Sequence, residues 1–370
     1  MPWLRGPLRC GENPVSGFHR LRVAEVRPLT DDAAEVVFEL PENLREPFSY
    51  EHGQHLAVRL DHEGEELRRN YSITGCPGEA GLRIGVRHTP GGRVSGVLTR
   101  ALRPGDELDV MTPAGRFTAP IDPERSRHWL LIAAGSGITP VMSILRTVLA
   151  QEPRSSITLL YVNRGVSSIM FRRELDALKN QHLERLSVLH FLTRERRNVG
   201  LFDGRITPEK LTTLARTMLP LDQVDHAFVC GPQVMTLELR AALIELGLPA
   251  ANVHMELFAT EGSLNGTPPP PPAPDARVVT QATVLLHGIE TDVPMYEGER
   301  VLDAARRQGL DVPFACTGGV CATCRAHLAE GAVTMAVNYA LADDEVSAGY
   351  VLTCQSVPRT PAIRVDFDRP

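Results

Sequence analysis

The chain has 370 residues, room for two or three domains, and its 43% hydrophobic and 23% charged residues are the balance of a soluble globular protein. A net charge of −6 gives no reason to expect a nucleic-acid partner, and no apolar run approaches the roughly 20 residues that a membrane span needs. Residues 1–15 form a polar tail with Pro2, Pro7 and Pro14 and no apolar signal segment, so the expected location is cytoplasmic, where seven cysteines point to metal or redox use rather than a disulfide framework.

Residues 16–122 read as an antiparallel β-barrel. Short alternating runs at Arg20–Val26, Glu35–Leu40, Gln54–Leu60, Leu82–Arg87 and Glu107–Met111 are separated by turns such as Pro104-Gly105-Asp106. Within them stands Arg69-Asn70-Tyr71-Ser72-Ile73. An Arg clamps a phosphate with forked hydrogen bonds. A Tyr offers an aromatic face with a polar tip, and a Ser hydroxyl hydrogen-bonds a ring nitrogen. The run from Val86-Arg87-His88 to Gly91-Gly92-Arg93-Val94-Ser95 ends a strand and is expected to open a helix over Val97–Leu102. Glycines and a Ser at a helix start make a phosphate cradle.

Residues 123–258 change period. The apolar strand Trp129–Ala134 is followed by Gly135-Ser136-Gly137-Ile138-Thr139-Pro140 and a helix expected over Val141–Ala150. Strands at Ser156–Val162, Ser187–Leu192, His226–Cys230 and Asn252–Phe258 alternate with helices at Ser168–Asn180, Pro208–Leu214 and Gln233–Leu246, which predicts an α/β Rossmann-like open sheet. The glycine loop lacks the third Gly of the dinucleotide fingerprint, because Pro140 stands in its place. Arg164 ends the second strand, where the adenosine ribose lies in such sheets, and no acidic residue accompanies it there. Cys230-Gly231-Pro232 ends the fourth strand, and Glu256-Leu257-Phe258 ends the fifth.

Residues 259–277 read as a linker, part Gly/Ser/Asn and part the proline run Pro268–Pro272, flexible and then stiff. An SH3-type ligand is the competing reading of the prolines.

Residues 278–370 are the acidic part of the chain, with 12 Asp and Glu against 7 Lys and Arg. Strands Ala282–Leu286 and Asp292–Pro294, a helix over Val301–Gln308, a cysteine loop and a strand Arg325–Leu328 follow in the order of a β-grasp fold. Cys316, Cys321 and Cys324 read C-x4-C-x2-C, with Cys354 farther on, the spacing of a plant-type 2Fe–2S centre. Gly318 and Gly319 let the loop wrap a cluster. Zinc is the competing reading, against which stands the presence of only one C-x2-C pair.

These motifs together resemble the ferredoxin–NADP reductase superfamily with a fused ferredoxin. Asn338 to Gln355, Thr89–Arg93 and Ile169–Arg172 resemble the reductase subunits of phenylacetyl-CoA epoxidases over nearly the whole chain. The resemblance implies an antiparallel FAD-binding barrel, an NADP-binding α/β domain and a β-grasp ferredoxin. It implies that Arg69 and the Ser95 turn hold the FAD pyrophosphate, preferred over FMN because two phosphate devices are present. Tyr71 and Ser72 would face the ring, Arg87 and His88 the ribityl side, and Ile73, Val86, Gly92 and Val94 would complete the site. Gly135, Gly137, Thr139, Arg164, Cys230, Gly231 and Pro232 would bind the nicotinamide nucleotide, with NADPH favoured by Arg164 and NADH the weaker alternative. Ser72, Cys230 and Glu256 would serve hydride transfer. Cys316, Cys321, Cys324 and Cys354 would hold the cluster.

The acceptor is expected to be a separate oxygenase with a di-iron centre. Neither a Glu-x-x-His pair nor a Cys-x-His pair occurs in the chain to supply such chemistry internally. A steroid or aromatic-ring hydroxylase partner, direct quinone or dye reduction, and a redox sensor without turnover are the alternatives.

Overall fold

The computed structural model describes residues 17–196, 199–258 and 277–369. The expected N-terminal tail, Cys10 and the Gly/Ser- and Pro-rich linker up to residue 276 lie outside the described residues.

The first sheet contains β1 (Phe18–Thr30), β2 (Ala33–Phe38), β3 (His55–His62), β4 (Glu65–Ser72), β5 (Leu82–Arg87) and β6 (Glu107–Met111), in the order β4-β3-β6-β1-β2-β5. All of its pairings are antiparallel. Leu21, Val36, Phe38, Leu56, Val58 and Ile84 fill its interior. β4 is not among the expected strands. Its sequence, EELRRNYS, carries too few apolar residues for an alternating signal, yet all eight residues pair with β3. It lies at the end of the sheet order, so one side of it is open to the rest of the molecule.

The helix expected from Val97 begins earlier, as α1 (Arg93–Gly96), and continues as a π-helical turn over Val97–Ala101. The left-handed Gly91 (φ +77°) turns the chain and Gly92 caps the helix. The Ser95 hydroxyl closes this turn internally, accepting from Thr89 N at 3.1 Å and donating to Gly92 O at 3.2 Å.

The second sheet is parallel throughout, with β7 (His128–Ala134), β8 (Ser156–Asn163), β9 (Leu186–Leu192), β10 (Val224–Gly231) and β11 (Val253–Leu257) in the order β11-β10-β7-β8-β9. Four helices accompany it: α2 (Ile138–Gln151), α3 (Arg172–Gln181), α4 (Pro208–Thr217) and α5 (Gln233–Glu245). β7 is central and its residues Trp129–Ala133 are fully buried, which is why it reads as an unbroken apolar run. The chain passes from β7 to β8 on one side and returns to β10 on the other, so the topological switch point lies between β7 and β10.

Two helix starts differ from expectation. α2 begins at Ile138 because Pro140 fits the first turn, where its missing N–H is not needed. α3 begins at Arg172 rather than Ser168 because buried Phe171 is left-handed (φ +57°) and breaks the chain direction.

The third sheet has β12 (Val278–Leu286), β13 (Ile289–Tyr296), β14 (Arg325–Glu330), β16 (Tyr350–Leu352) and β18 (Ala362–Asp366), in the order β13-β12-β18-β14-β16; β15 (Val333–Met335) pairs with β17 (Ser356–Pro358). Helix α6 (Val301–Arg307) buries Val301, Leu302, Ala304 and Ala305 against the sheet, and α7 (Asp343–Ser347) precedes β16. β18, absent from the sequence reading, is the central strand, parallel to β12 and antiparallel to β14.

The three units are stitched together by polar contacts. From α2, Ser143 Oγ donates to Gly75 O at 2.6 Å, and Arg146 binds both Glu174 oxygens (2.7 and 2.6 Å) and the carbonyl of Thr74. The ferredoxin-like unit docks on β4. Buried Arg68 donates to Asp311 Oδ1 at 2.6 Å and to Val312 O at 3.4 Å, while Phe314 is sandwiched by the Arg68 and Arg306 guanidiniums, each 4.2 Å from the ring centroid. A charged hydrogen bond contributes about 1.5–3 kcal/mol and each cation–π contact about 0.5–2 kcal/mol. Arg116 adds an ion pair to buried Glu345 at the start of α7.

Candidate functional site

A cleft of about 740 Å³ is lined by all three units. β4 supplies Arg69, Asn70, Tyr71 and Ser72, the β5–α1 turn supplies Arg87, His88, Gly92, Val94 and Ser95, the second sheet supplies Ser136, Thr139, Arg164, Glu256 and Phe258, and the cysteine loop supplies Cys316, Val320 and Cys321.

The flavin side is built by the end of β4 and the turn before α1. Arg69 Nη1 donates to the Arg68 carbonyl at 2.8 Å, and burial lowers its pKa from the ordinary arginine value, a cost that an anionic ligand offsets. The start of α1 has no side-chain cap, and its residues Arg93, Val94 and Ser95 line the cleft. Tyr71 is held protonated by burial. Asn70 Oδ1 and His55 Nε2 are buried and have no hydrogen-bond partner among the described residues. A cleft of this size with a cation, an uncapped helix start and orphaned polar atoms fits FAD. Ser95 contributes through the turn, since its hydroxyl is spent on Thr89 and Gly92. Arg87 lines the cleft, but its guanidinium makes two hydrogen bonds to Asp32 Oδ2 (3.0 and 2.9 Å), beside the loop of Gly135. Ile73 and Val86, expected to complete the site, are instead fully buried in the barrel core and do not line the cleft.

The nicotinamide side lies at the switch point. Gly135 is left-handed (φ +55°), and its carbonyl accepts from the buried Tyr161 hydroxyl at 3.1 Å. At Gly137 a Cβ would fall 2.1 Å from the Cys230 carbonyl oxygen, so only glycine lets the loop pass the end of β10. Gly231 is equally tight, with Met235 Cε and Ala134 Cβ within 3 Å of an added Cβ. Gly135, Gly137, Cys230, Gly231 and Pro232 shape this floor without lining the cleft themselves. Cys230 is fully buried and pairs in register with Glu256 across β10 and β11. Burial first, and the Glu256 charge second, push its thiol well above the ordinary cysteine value, so it is neutral at pH 7. Glu256 Oε2 accepts from Ser72 Oγ at 3.4 Å, and Glu256 Oε1 lies 3.8 Å from His55 Nδ1. Ser72, Glu256 and Cys230 thus converge from two domains, together with His55, which the sequence did not single out.

Arg164 lines the cleft as expected, but an acid also reaches this loop. Glu195, just beyond β9, accepts from Val166 N at 3.0 Å, and a Cβ on Gly165 would fall 2.1 Å from its carboxylate oxygen. The sequence reading missed it because it belongs to a different strand end.

In the cysteine loop, Thr317 (φ +51°), Gly319 (φ +75°) and Ala322 (φ +55°) are left-handed, whereas Gly318 is not. The expected wrapping is therefore shared among three residues, two of them non-glycine, at a cost of about 1–3 kcal/mol each. The thiols form two adjacent pairs, Cys316 with Cys321 and Cys324 with Cys354. Two thiols per iron is the division a binuclear cluster uses. N–H donors point at the sulfurs: Gly318 N lies 3.4 Å from Cys316 Sγ and Gln355 Nε2 lies 3.6 Å from Cys354 Sγ. Hydrogen bonding from Cys321 first, then from the backbone of Val320 and Gly318, outweighs burial and pulls Cys316 below the ordinary cysteine value. The donor set fits a 2Fe–2S cluster.

Fold and site together define a flavin- and pyridine-nucleotide-dependent oxidoreductase with a fused 2Fe–2S ferredoxin. The oxidoreductase FAD-binding domain family matches residues 20–119, the oxidoreductase NAD-binding domain family residues 131–240, and the 2Fe-2S iron-sulfur cluster binding domain family residues 284–359. The chain is 41% identical over 357 residues to a component of the 1,2-phenylacetyl-CoA epoxidase of Escherichia coli (strain K12), covering 96% of this chain and 99% of that protein. It is 34% identical to the ferredoxin reductase component of 3-ketosteroid-9-alpha-monooxygenase of Rhodococcus rhodochrous, covering 94% and 96%. Among solved structures, phthalate dioxygenase reductase shares the fold, with a TM-score of 0.57 at 22% identity over 95% of this chain and 98% of that one. The chain belongs to the oxygenase reductase components of the ferredoxin–NADP reductase superfamily, with its 2Fe–2S domain at the C-terminal end. It carries electrons from a pyridine nucleotide through FAD and a 2Fe–2S cluster to an oxygenase.

Proposed function

We propose that the electron donor is NADPH and that the acceptor is a separate di-iron oxygenase that epoxidises the ring of phenylacetyl-CoA, in the cytoplasm, as part of phenylacetate breakdown. The observation that carries the reading is the cleft lined jointly by the flavin strand, the nucleotide loop and two cluster cysteines. The 41% identical relative over nearly the full length of both chains supports the choice of oxygenase. When bound, the flavin supplies the conversion of one two-electron hydride into two single electrons.

The residues prepare that conversion. Arg69 and the turn at Gly92, Val94 and Ser95 anchor the pyrophosphate, and Tyr71 covers the ring. Gly137 and Gly231 would let a nicotinamide approach over the floor that buried, neutral Cys230 helps to shape. The Ser72 hydroxyl, which donates to the Glu256 carboxylate, would be placed to pass a proton between a bound flavin and Glu256. Phe258 lines the cleft beside Glu256 and keeps water out. Arg164 binds the 2′-phosphate. Cys316, Cys321, Cys324 and Cys354 hold the cluster, with the first and second at the cleft wall.

The test is reconstitution. The purified holoprotein, NADPH and a di-iron phenylacetyl-CoA oxygenase should together form the epoxide, and deletion of the gene should stop growth on phenylacetate. Normal growth of the deletion strain would overturn the proposed acceptor. The 34% identity to a ketosteroid monooxygenase reductase favours a steroid oxygenase as the second reading, and growth on steroids separates the two.

A further inference from the structure

We propose that Asn70 is a positioning residue that links the flavin strand to the cluster through Thr323. Asn70 lies between two flavin-facing residues of β4, and its Nδ2 donates to Thr323 Oγ1 at 3.4 Å across the domain boundary. Thr323 is 9% exposed and sits in the cysteine loop, with its side chain against that of Cys321. A hydroxyl has a single proton. By accepting from Asn70, the Thr323 oxygen leaves that proton to point at the sulfur, and the two bonds polarise each other. The other end of the amide, Oδ1, is buried without a protein partner, while Asn70 lines the cleft, so it is placed to accept from an N–H or O–H of the flavin. One side chain therefore faces both redox groups.

The consequence is energetic. A hydrogen bond donated to a ligating sulfur stabilises the extra negative charge of the reduced cluster and raises its potential. Asn70 sets this term by orienting Thr323. Arg68, on the same strand as Asn70, docks on Asp311 of the ferredoxin-like unit and keeps the pair in register. The inference rests on FAD in the cleft and the cluster in the cysteine loop.

The experiment is an EPR-monitored redox titration of the full-length holoprotein and its T323V, T323S, N70L and N70L/T323V variants. T323V should lower the cluster midpoint enough to change the reduced-to-oxidised ratio about tenfold at a fixed potential, 59 mV for one electron. T323S should restore the wild-type value. N70L should lower the midpoint in the same direction by about threefold in that ratio, and should add nothing in the T323V background. An unmoved midpoint in N70L, or an N70L shift that persists undiminished in the double variant, overturns the link. N70L lies outside the cysteine loop, so the link remains testable if T323V fails to assemble a cluster. A wild-type protein with no EPR-active cluster after chemical reduction would overturn the underlying reading itself.

Discussion

Arg68 and Arg69 are neighbours in sequence and serve different ends: Arg68 grips Asp311 of the ferredoxin-like unit, while Arg69 turns into the cleft. Strand alternation produces this division, because successive side chains of β4 point to opposite faces. The sequence marked Arg69 through its neighbours Tyr71 and Ser72 but offered no signal for Arg68, since its partner lies 243 residues away. The same limit hid Glu195, which meets Arg164's loop only through the pairing of β8 and β9. If the nucleotide binds as proposed, Arg164 and Glu195 bring opposite charges to the end where NADPH and NADH differ by one phosphate. R164A should therefore cut kcat/KM for NADPH by tenfold or more with little effect on NADH. E195Q, which keeps the hydrogen-bonding oxygen and drops the charge, should raise the NADPH preference severalfold. Steady-state kinetics with both donors checks the pair, and equal losses with NADPH and NADH in R164A would remove Arg164 from phosphate recognition.

The elements that were legible were those with a strong apolar period or a clear stop. β7 stood out as a buried run, whereas β4 and β18 did not, because charged and polar residues dominate one and a Pro-rich approach precedes the other. Around β7 lies a polar layer with measurable consequences. Glu152 is fully buried and accepts from Trp129 Nε1 at 3.1 Å, Ser155 Oγ at 2.6 Å and Asp122 N at 2.9 Å, and it pairs with Arg127. E152A should cost about 3–5 kcal/mol, read from urea unfolding, because it strands Arg127 and several donors. Next to it, burial depresses both His52 and His254 to about 4, below the ordinary 6.5. The unfolded chain takes up these protons near pH 6.5, while the fold resists them until about pH 4. Stability is therefore full above pH 6.5 and is lost as pH falls toward 4, by a few kcal/mol for the two groups. Urea midpoints at pH 7 and 4.5 measure this loss, and H52Q should flatten part of the slope. A midpoint independent of pH in that window would contradict the assignment.

At the scale of the molecule, the order of three units was readable from motifs, because each cofactor demands a short, dense signature. Their mutual placement was not readable. It depends on Arg68, Phe314, Arg116 and Glu345, residues that carry no motif and meet only in the folded chain. That placement sets the cysteine loop on the wall of the cleft beside β4, so a cluster there would receive electrons from a flavin in the cleft without a long internal path. D311A should slow electron transfer from flavin to cluster about tenfold, the effect of about 1.4 kcal/mol on docking, and stopped-flow traces should show the flavin reduced before the cluster. The central claim is the order NADPH, flavin, cluster within one chain. Its most direct measurement is anaerobic mixing of the purified holoprotein with one equivalent of NADPH, followed by visible absorption and freeze-quench EPR. The account predicts rapid flavin bleaching followed by a reduced 2Fe–2S signal. A colourless protein, or a flavin that bleaches while the cluster stays oxidised, would contradict it.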